Sequence, residues 1–325
     1  MSLNFHAFIP PTLLGQSSGL LFPEPSSTTA ADVDTLFYFI LAICSVFFVL
    51  IVGVMTTFAW RYRSREGFKP GQAPHHSNAL EIAWSVVPAI LVAVIFVWGF
   101  YGYVSSQQPP EGSYEIEVIA KKWNWAFVYP NGHIDNQLHV PIDKPIRLVM
   151  SSDDVIHSLF VPAFRIKRDL VPGRYSYTWF QATQMGEYIL YCTEYCGTGH
   201  SLMNSKVIVH TSSEFDQWLE KAANFLDEVS PAEAGNILYE RRGCAQCHSI
   251  DGSARSGPTF LGTYGTQQQM ADGSMVTVDE NYIRESILEP QAKIRSGYRP
   301  VMPTYQGQLS DKEISALIQY LKSLQ

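Results

Sequence analysis

Two long stretches of the chain show no polar rhythm. Residues 36–60 and 82–104 contain no Asp, Glu, Lys or Arg, and each is long enough, at about 1.5 Å per residue, to cross a hydrocarbon core of roughly 30 Å as a helix. Pro88 is tolerable inside the second run, because neighbouring groups can satisfy the carbonyl it frees. From Tyr114 the pattern changes to alternation, as in Tyr114-Glu-Ile-Glu-Val-Ile and Lys144-Pro-Ile-Arg-Leu-Val-Met. Turn signals recur at Pro130-Asn-Gly, Pro141-Ile-Asp and Val171-Pro-Gly-Arg, and residues 175–181, 187–192 and 205–210 read as further strands. This spacing predicts an all-β sandwich of seven to nine strands over 111–210. In 121–129, period two places Trp123, Trp125 and Phe127 on one face, as a core stripe would. Helical periodicity returns at 232–242 and again at the end, where Leu309, Ile314, Leu317, Ile318 and Leu321 share a face behind a Ser310 or Asp311 cap.

Charge sharpens this map. Only 16% of the 325 residues are charged, against about 25% in an average soluble chain. The net charge of −7 and the lack of a basic stripe exclude a nucleic-acid binder. Residues 211–230 hold one base and five acids, which marks an acidic linker between 111–210 and a further domain at 231–325. If flexible, about 20 residues would span roughly 25 Å and keep the joined domains at millimolar effective concentration. The loop between the two apolar runs carries Arg61, Arg63, Arg65 and Lys69, while residues 1–35 have neither Lys nor Arg. Positive-inside reasoning puts that loop in the cytoplasm, with both termini and everything after about residue 105 outside. The first 35 residues lack the basic n-region of a cleavable signal. Residues 1–110 therefore read as an N-terminal segment plus a transmembrane hairpin.

Outside the cytoplasm, exposed thiols are oxidised, metallated or covalently used. Of five cysteines, Cys44 lies in the first apolar run and reads as a small hydrophobe. Cys192-Thr-Glu-Tyr-Cys196-Gly-Thr-Gly-His200-Ser-Leu-Met203 is a dense set of soft ligands, with a second imidazole at His157. Thiolate, imidazole and thioether suit copper; a Cys192–Cys196 disulfide is the alternative. His139 has no motif partner and reads as structural. The second pair stands in Cys244-Ala-Gln-Cys247-His248, the c-type haem attachment pattern, with a redox dithiol as its alternative. Met270, Met275 and Met302 are the methionines of that region. The first two sit in a polar, glycine-bearing insertion.

On these residues the chain resembles subunit II of haem–copper cytochrome c oxidases, joined to a class I cytochrome c: a caa-type subunit. Cys-x-Glu-x-Cys-Gly-x-x-His-x-x-Met is that family's binuclear copper (CuA) motif. Leu80-Glu-Ile-Ala-Trp84…Pro88 and Lys167-x-Asp169-x-x-Pro172-Gly-Arg174 match its other signatures. The resemblance implies a two-helix membrane hairpin, a cupredoxin-like sandwich and a small all-α cytochrome c domain. It implies that Cys192 and Cys196 bridge two coppers, with His157, His200, Met203 and the Glu194 carbonyl completing the site. The Glu194 carboxylate would share a Mg²⁺ with subunit I. Trp123 would be where electrons enter the copper domain, and Glu81 would stand at a proton-uptake channel of subunit I. Cys244 and Cys247 would form haem thioethers, His248 and Met302 the axial ligands, and the Pro258 carbonyl would orient His248.

The implied activity is that of a proton-translocating cytochrome-c oxidase in a bacterial-type inner membrane. Electrons would come from a cytochrome c, another small redox protein or a quinol-oxidising complex. They would leave for subunit I, where O₂ is reduced. The alternative is the corresponding subunit of a nitric-oxide reductase-type enzyme.

Overall fold

The computed structural model describes residues 21–67 and 76–325; Lys69, one of the bases behind the topology reading, lies outside the described residues. The chain divides into two compact units, one of them residues 29–108. That unit is a pair of helices, α1 (Ala30–Arg61) and α2 (Asn78–Gln107). Both helices outrun their apolar stretches by a turn or more, because the flanking residues still suit a helix. Asp32 in the first turn of α1 and Arg61 in its last oppose the helix dipole. Leu36 faces Gly99 of α2, and Phe39 packs on Trp98 with ring centroids 5.4 Å apart. The central windows of both helices are unburied, and both are long and apolar enough to cross a membrane.

The other unit begins with a two-sheet sandwich of ten strands. These are β1 (Tyr114–Lys121), β2 (Asn124–Val128), β3 (Ile134–Asp135), β4 (Leu138–Pro141), β5 (Pro145–Ser152), β6 (His157–Val161), β7 (Ile166–Leu170), β8 (Ser176–Gln181), β9 (Gly186–Cys192) and β10 (Asn204–His210). One more strand forms than the pattern predicted, because a two-residue segment such as β3 has no periodicity to read. The sheets run β3-β2-β1-β5-β8 and β4-β10-β9-β6-β7. The β1–β5 and β4–β10 pairs are parallel and the rest antiparallel. Alternation does what period two requires: Ile116, Val118 and Ala120 of β1 and Ile146, Leu148 and Met150 of β5 are wholly buried between the sheets.

The acidic segment is an ordered helix, α3 (Ser212–Glu228), and not a loose tether. Thr211 and Glu214 close a capping box at its start. Its apolar side carries Phe215, Ala222 and Trp218, and the Trp218 indole stacks on His139 at 3.9 Å between centroids and 9° between planes. His139 in turn hydrogen-bonds His210 (Nδ1–Nε2 2.8 Å), so its structural reading fits.

The C-terminal region comprises α4 (Pro231–Arg241), a hairpin of β11 (Gln267–Gln269) and β12 (Met275–Thr277), α5 (Glu280–Leu288) and α6 (Asp311–Ser323). Ser310 caps α6 and pairs with Glu313 in a second capping box. The apolar face read from the sequence is the one buried, with Ile314, Leu317, Ile318 and Leu321 all in the core. Gly235 makes the α4–α6 crossing possible: a Cβ there would collide with the Ala316 carbonyl. Met270, expected in a polar insertion, is buried beside Tyr282, whose hydroxyl reaches its sulfur at 3.7 Å.

Candidate functional site

The soft-ligand loop joins β9 to β10, and the sheet itself brings His157 to it. Leu159 of β6 is in register with Cys192 at the end of β9, so His157 at the start of β6 lies beside the loop. The loop is closed by Cys192 N–H donating to Met203 O (3.3 Å) and Thr193 N–H to Ser158 O (2.9 Å). Cys192 Sγ lies 3.9 Å from His157 Nδ1 and 3.9 Å from Cys196 Sγ. Cys196 Sγ lies 3.5 Å from His200 Nδ1 and 3.8 Å from Met203 Sδ. The sulfurs are thus almost twice as far apart as in a disulfide, at about 2.05 Å; both cysteines are free. The Glu194 carbonyl faces Cys192 Sγ at 3.4 Å while its side chain is exposed.

The electrostatics suit a cation. Burial raises the Cys192 thiol, but hydrogen bonding to His157 and to the Ser158 and Glu194 backbone outweighs it, and the net shift is downward. Burial and the adjacent Cys192 push the Cys196 thiol up. One proton leaves easily and the second does not, so holding both sulfurs as thiolates requires positive charge between them. His157 Nε2 donates to Asp154 Oδ1 at 2.8 Å, which leaves Nδ1 free on the sulfur side. Asp154, missed in the sequence, also accepts the Lys122 N–H (2.8 Å) and the Val155 N–H (2.6 Å). A carboxylate three residues before a candidate ligand was the available signal.

Trp123 is buried in the same core cluster as Trp125 and Phe127, but it lies in a turn and not on the strand. It occupies the β1–β2 turn, is 5% exposed, and lies flat on the glycines of the soft-ligand loop. A Cβ on Gly197 would stand 3.2 Å from its ring, and one on Gly199 would collide with it. Its Nε1–H donates to the Cys196 carbonyl at 3.3 Å, and Trp125 Nε1–H to that of Met203 at 3.4 Å.

A second site opens on the other side of Trp123. An elongated apolar cavity is lined by Cys244, Cys247, His248, Pro258, Met302 and core side chains such as Ile283 and Leu317, and also by Lys122, Trp123 and Asn124 of the sandwich. His248 Nδ1–H donates to the Pro258 carbonyl at 2.7 Å, which fixes the tautomer and leaves Nε2 as a lone-pair donor. A Cβ on Gly257 would stand 2.7 Å from the imidazole, so only glycine fits there. Burial pushes the Cys244 thiol up to about 12 and raises that of Cys247 as well. This is the reverse of a redox dithiol, which needs a depressed thiol. An apolar slot with two thiols, one oriented imidazole and a thioether suits a porphyrin.

Glu81 is exposed in the first turn of α2.

Fold and sites together define a membrane-anchored redox protein: two apolar helices, a cupredoxin-like sandwich with a soft-metal loop, and a helical cytochrome c domain. Residues 15–101 match the family of the cytochrome c oxidase subunit II transmembrane domain, 131–211 that of its periplasmic domain, and 232–325 that of cytochrome c. The chain is 31% identical over 297 residues to cytochrome c oxidase subunit 2 of Alkalihalophilus pseudofirmus, covering 87% of this chain and 82% of the relative. It is 29% identical to that of Synechocystis sp., over 65% of this chain and 77% of the relative. Among solved structures, the periplasmic domain of subunit II of cytochrome oxidase from Bradyrhizobium japonicum is 32% identical, over 36% of this chain and 98% of that one, with a TM-score of 0.35. The chain belongs to the cytochrome c oxidase subunit II family, in its form fused to a cytochrome c domain. Its domains imply copper in the sandwich and haem in the C-terminal region.

Proposed function

We propose that this chain is where electrons enter a respiratory haem–copper terminal oxidase. A donor delivers electrons to the C-terminal domain; they cross at Trp123 to the copper loop and pass to subunit I, where O₂ is reduced to water with proton pumping. Cys244 and Cys247 hold the haem through thioethers, with His248 and Met302 as axial ligands and Pro258 orienting His248. His157, Cys192, Cys196, His200, Met203 and the Glu194 carbonyl hold the two coppers of CuA. Bound there, the cofactors supply one-electron redox centres and no bond-making chemistry. The Glu194 carboxylate, exposed beside the loop, is free to share a Mg²⁺ with subunit I, and Glu81 stands near a proton-uptake path. The bases Arg61, Arg63 and Arg65 lie on the cytoplasmic side of a bacterial plasma membrane, with both termini outside.

One observation carries the reading. Trp123 lines the porphyrin cavity on one side and on the other lies against Gly197 and Gly199, hydrogen-bonded to the Cys196 carbonyl. The residues of the chain make the frame and keep water out: the indole fills the space between the sites, and the two glycines let it lie flat. Trp123→Leu tests this in the purified complex, with an electron injected photochemically into the haem. The expected result is copper reduction slowed by about 100-fold or more, with both absorption spectra retained. Unchanged kinetics would remove Trp123 from the path. A chain with neither a mixed-valence copper signal nor a covalent haem would remove the reading altogether.

A further inference from the structure

Among the described residues, two sets of polar ties join the C-terminal domain to the sandwich around the cavity that Trp123 lines. Ahead of Cys244, the end of α4 is tied down. Arg241 Nε lies 3.2 Å from Asp135 Oδ2, and Asn136 Nδ2 donates to the Glu240 carbonyl at 3.0 Å. Between them and the cavity, Gly243, at φ +75°, presses against Asn124; a Cβ there would stand 2.5 Å from Asn124 Cγ. Behind Met302, the second tie comes from Lys121. Its Nζ donates to Gln308 Oε1 at 2.7 Å and stands 4.1 Å from the centre of the Tyr305 ring. Tyr305 is itself buried, and its hydroxyl donates to the Arg242 carbonyl at 2.8 Å, so the two ties meet through one ring.

Lys121 is 4% exposed, and its ammonium is satisfied by an amide oxygen and a π face, not by a carboxylate. Burial pulls it down to about 8, against the pull of Asp153. An apolar residue at this position of β1 would hold a permanent interface at lower desolvation cost. A buried ammonium whose hydrogen-bond and ring partners both belong to the other domain favours one docking register, because other registers leave those contacts unmade. The position is specific in a second way: Lys121 is two residues before Trp123, and Tyr305, which it meets, lines the same cavity as Trp123.

We propose that Lys121 and the Asp135–Arg241 pair form a two-point latch that holds the cytochrome c domain with its cofactor cavity on Trp123, and so set the rate of electron transfer within the chain. Both act as positioning residues; neither touches a cofactor. The proposal rests on the electron path given above, and its test separates the two.

The experiment uses the purified complex with both cofactors, comparing wild type, Lys121→Met, Asp135→Asn and the double variant. An electron is injected photochemically into the haem, and copper reduction is followed. The latch predicts transfer slowed by about tenfold in each single variant and further in the double, with the reduction potentials of both centres unchanged. Transfer that is insensitive to salt in wild type becomes salt-dependent in the double variant, as expected of a domain that must find its dock. Lys121→Arg keeps a cation for Gln308 and Tyr305 and restores most of the rate. Hydrogen exchange on the full chain gives a readout independent of the cofactors: the amides of 121–125 and 242–247 exchange faster in the variants, while the β5–β8 ladder does not. Wild-type and double-variant rates that agree, or exchange confined to wild-type levels at both segments, overturn the latch. Absence of haem-to-copper transfer in wild type overturns the electron path instead.

Discussion

The two cofactor sites of this chain are built on opposite plans. In the sandwich, the candidate copper ligands hang from strand ends and one short loop, and neighbouring donor atoms lie 3.5–3.9 Å apart. Two closed sheets with their own core surround them, from Ile116 and Leu148 to Leu190 and Val207. In the C-terminal domain the cavity opens into the core: Ile283, Ile287, Leu309, Leu317 and Leu321 belong to the buried cluster and also line it, and its candidate ligands His248 and Met302 sit on irregular segments. The difference predicts that the sandwich forms its site before metal arrives, whereas the cytochrome domain uses its cofactor as packing. A domain of this size has little core to spare.

That contrast can be broken at its strongest point. Cys244→Ala with Cys247→Ala is expected to abolish haem retained under denaturing conditions. It should also remove the cooperative melting of the C-terminal domain, while the sandwich of the same full-length protein keeps its transition. Two intact transitions in the haem-free protein would show that the domain does not use the porphyrin as core.

A smaller effect is expected in the sandwich. Asp154→Ala removes the acceptor of the His157 Nε2–H. Copper affinity should fall by about 10–100-fold, read by competition with a chelator, with the copper-free melting temperature little changed. An equal loss of stability would mean that the site is not preformed.

A pH-dependent effect, confined to acid, follows from the histidines under α3. Burial lowers His139 to about 4, against an ordinary 6.5, with His210 and Arg241 adding to the shift and Asp135 opposing it. Between those values the unfolded chain binds the proton and the folded one does not. Stability is therefore full above about 6.5, falls as pH drops towards about 4, and loses up to ~3 kcal/mol from this group. Burial lowers His210 in the same direction. Thermal melts of the full chain across this range should show the decline, and His139→Phe should flatten it. A flat wild-type profile would show that the α3 layer is not what acid loosens.

The parts of this protein that were legible in the sequence are those whose partners lie close along it. Cys192 to Met203 fit in one loop, Cys244 to His248 in one turn, and the Ser310 cap directly precedes its helix, so spacing reports their geometry. Apolar runs announced α1 and α2, and alternation announced the sandwich, because burial repeats with the period of the backbone. Trp123 shows the limit. Period two placed it in the core with Trp125, where it is, but could not show that the turn between β1 and β2 also lays it against the soft-ligand loop.

What the tertiary structure alone decided is the relation between the sites. Lys121 and Gln308 are 187 residues apart, and Asn136 and Glu240 are 104. No periodicity links residues at such separations, since a pattern records which face is buried and not what covers it. The acidic linker read as a possible tether because its charges face solvent; its order comes from one face, where Trp218 meets His139. Chemistry was written in short motifs, while the distance an electron must travel was set by packing between distant segments.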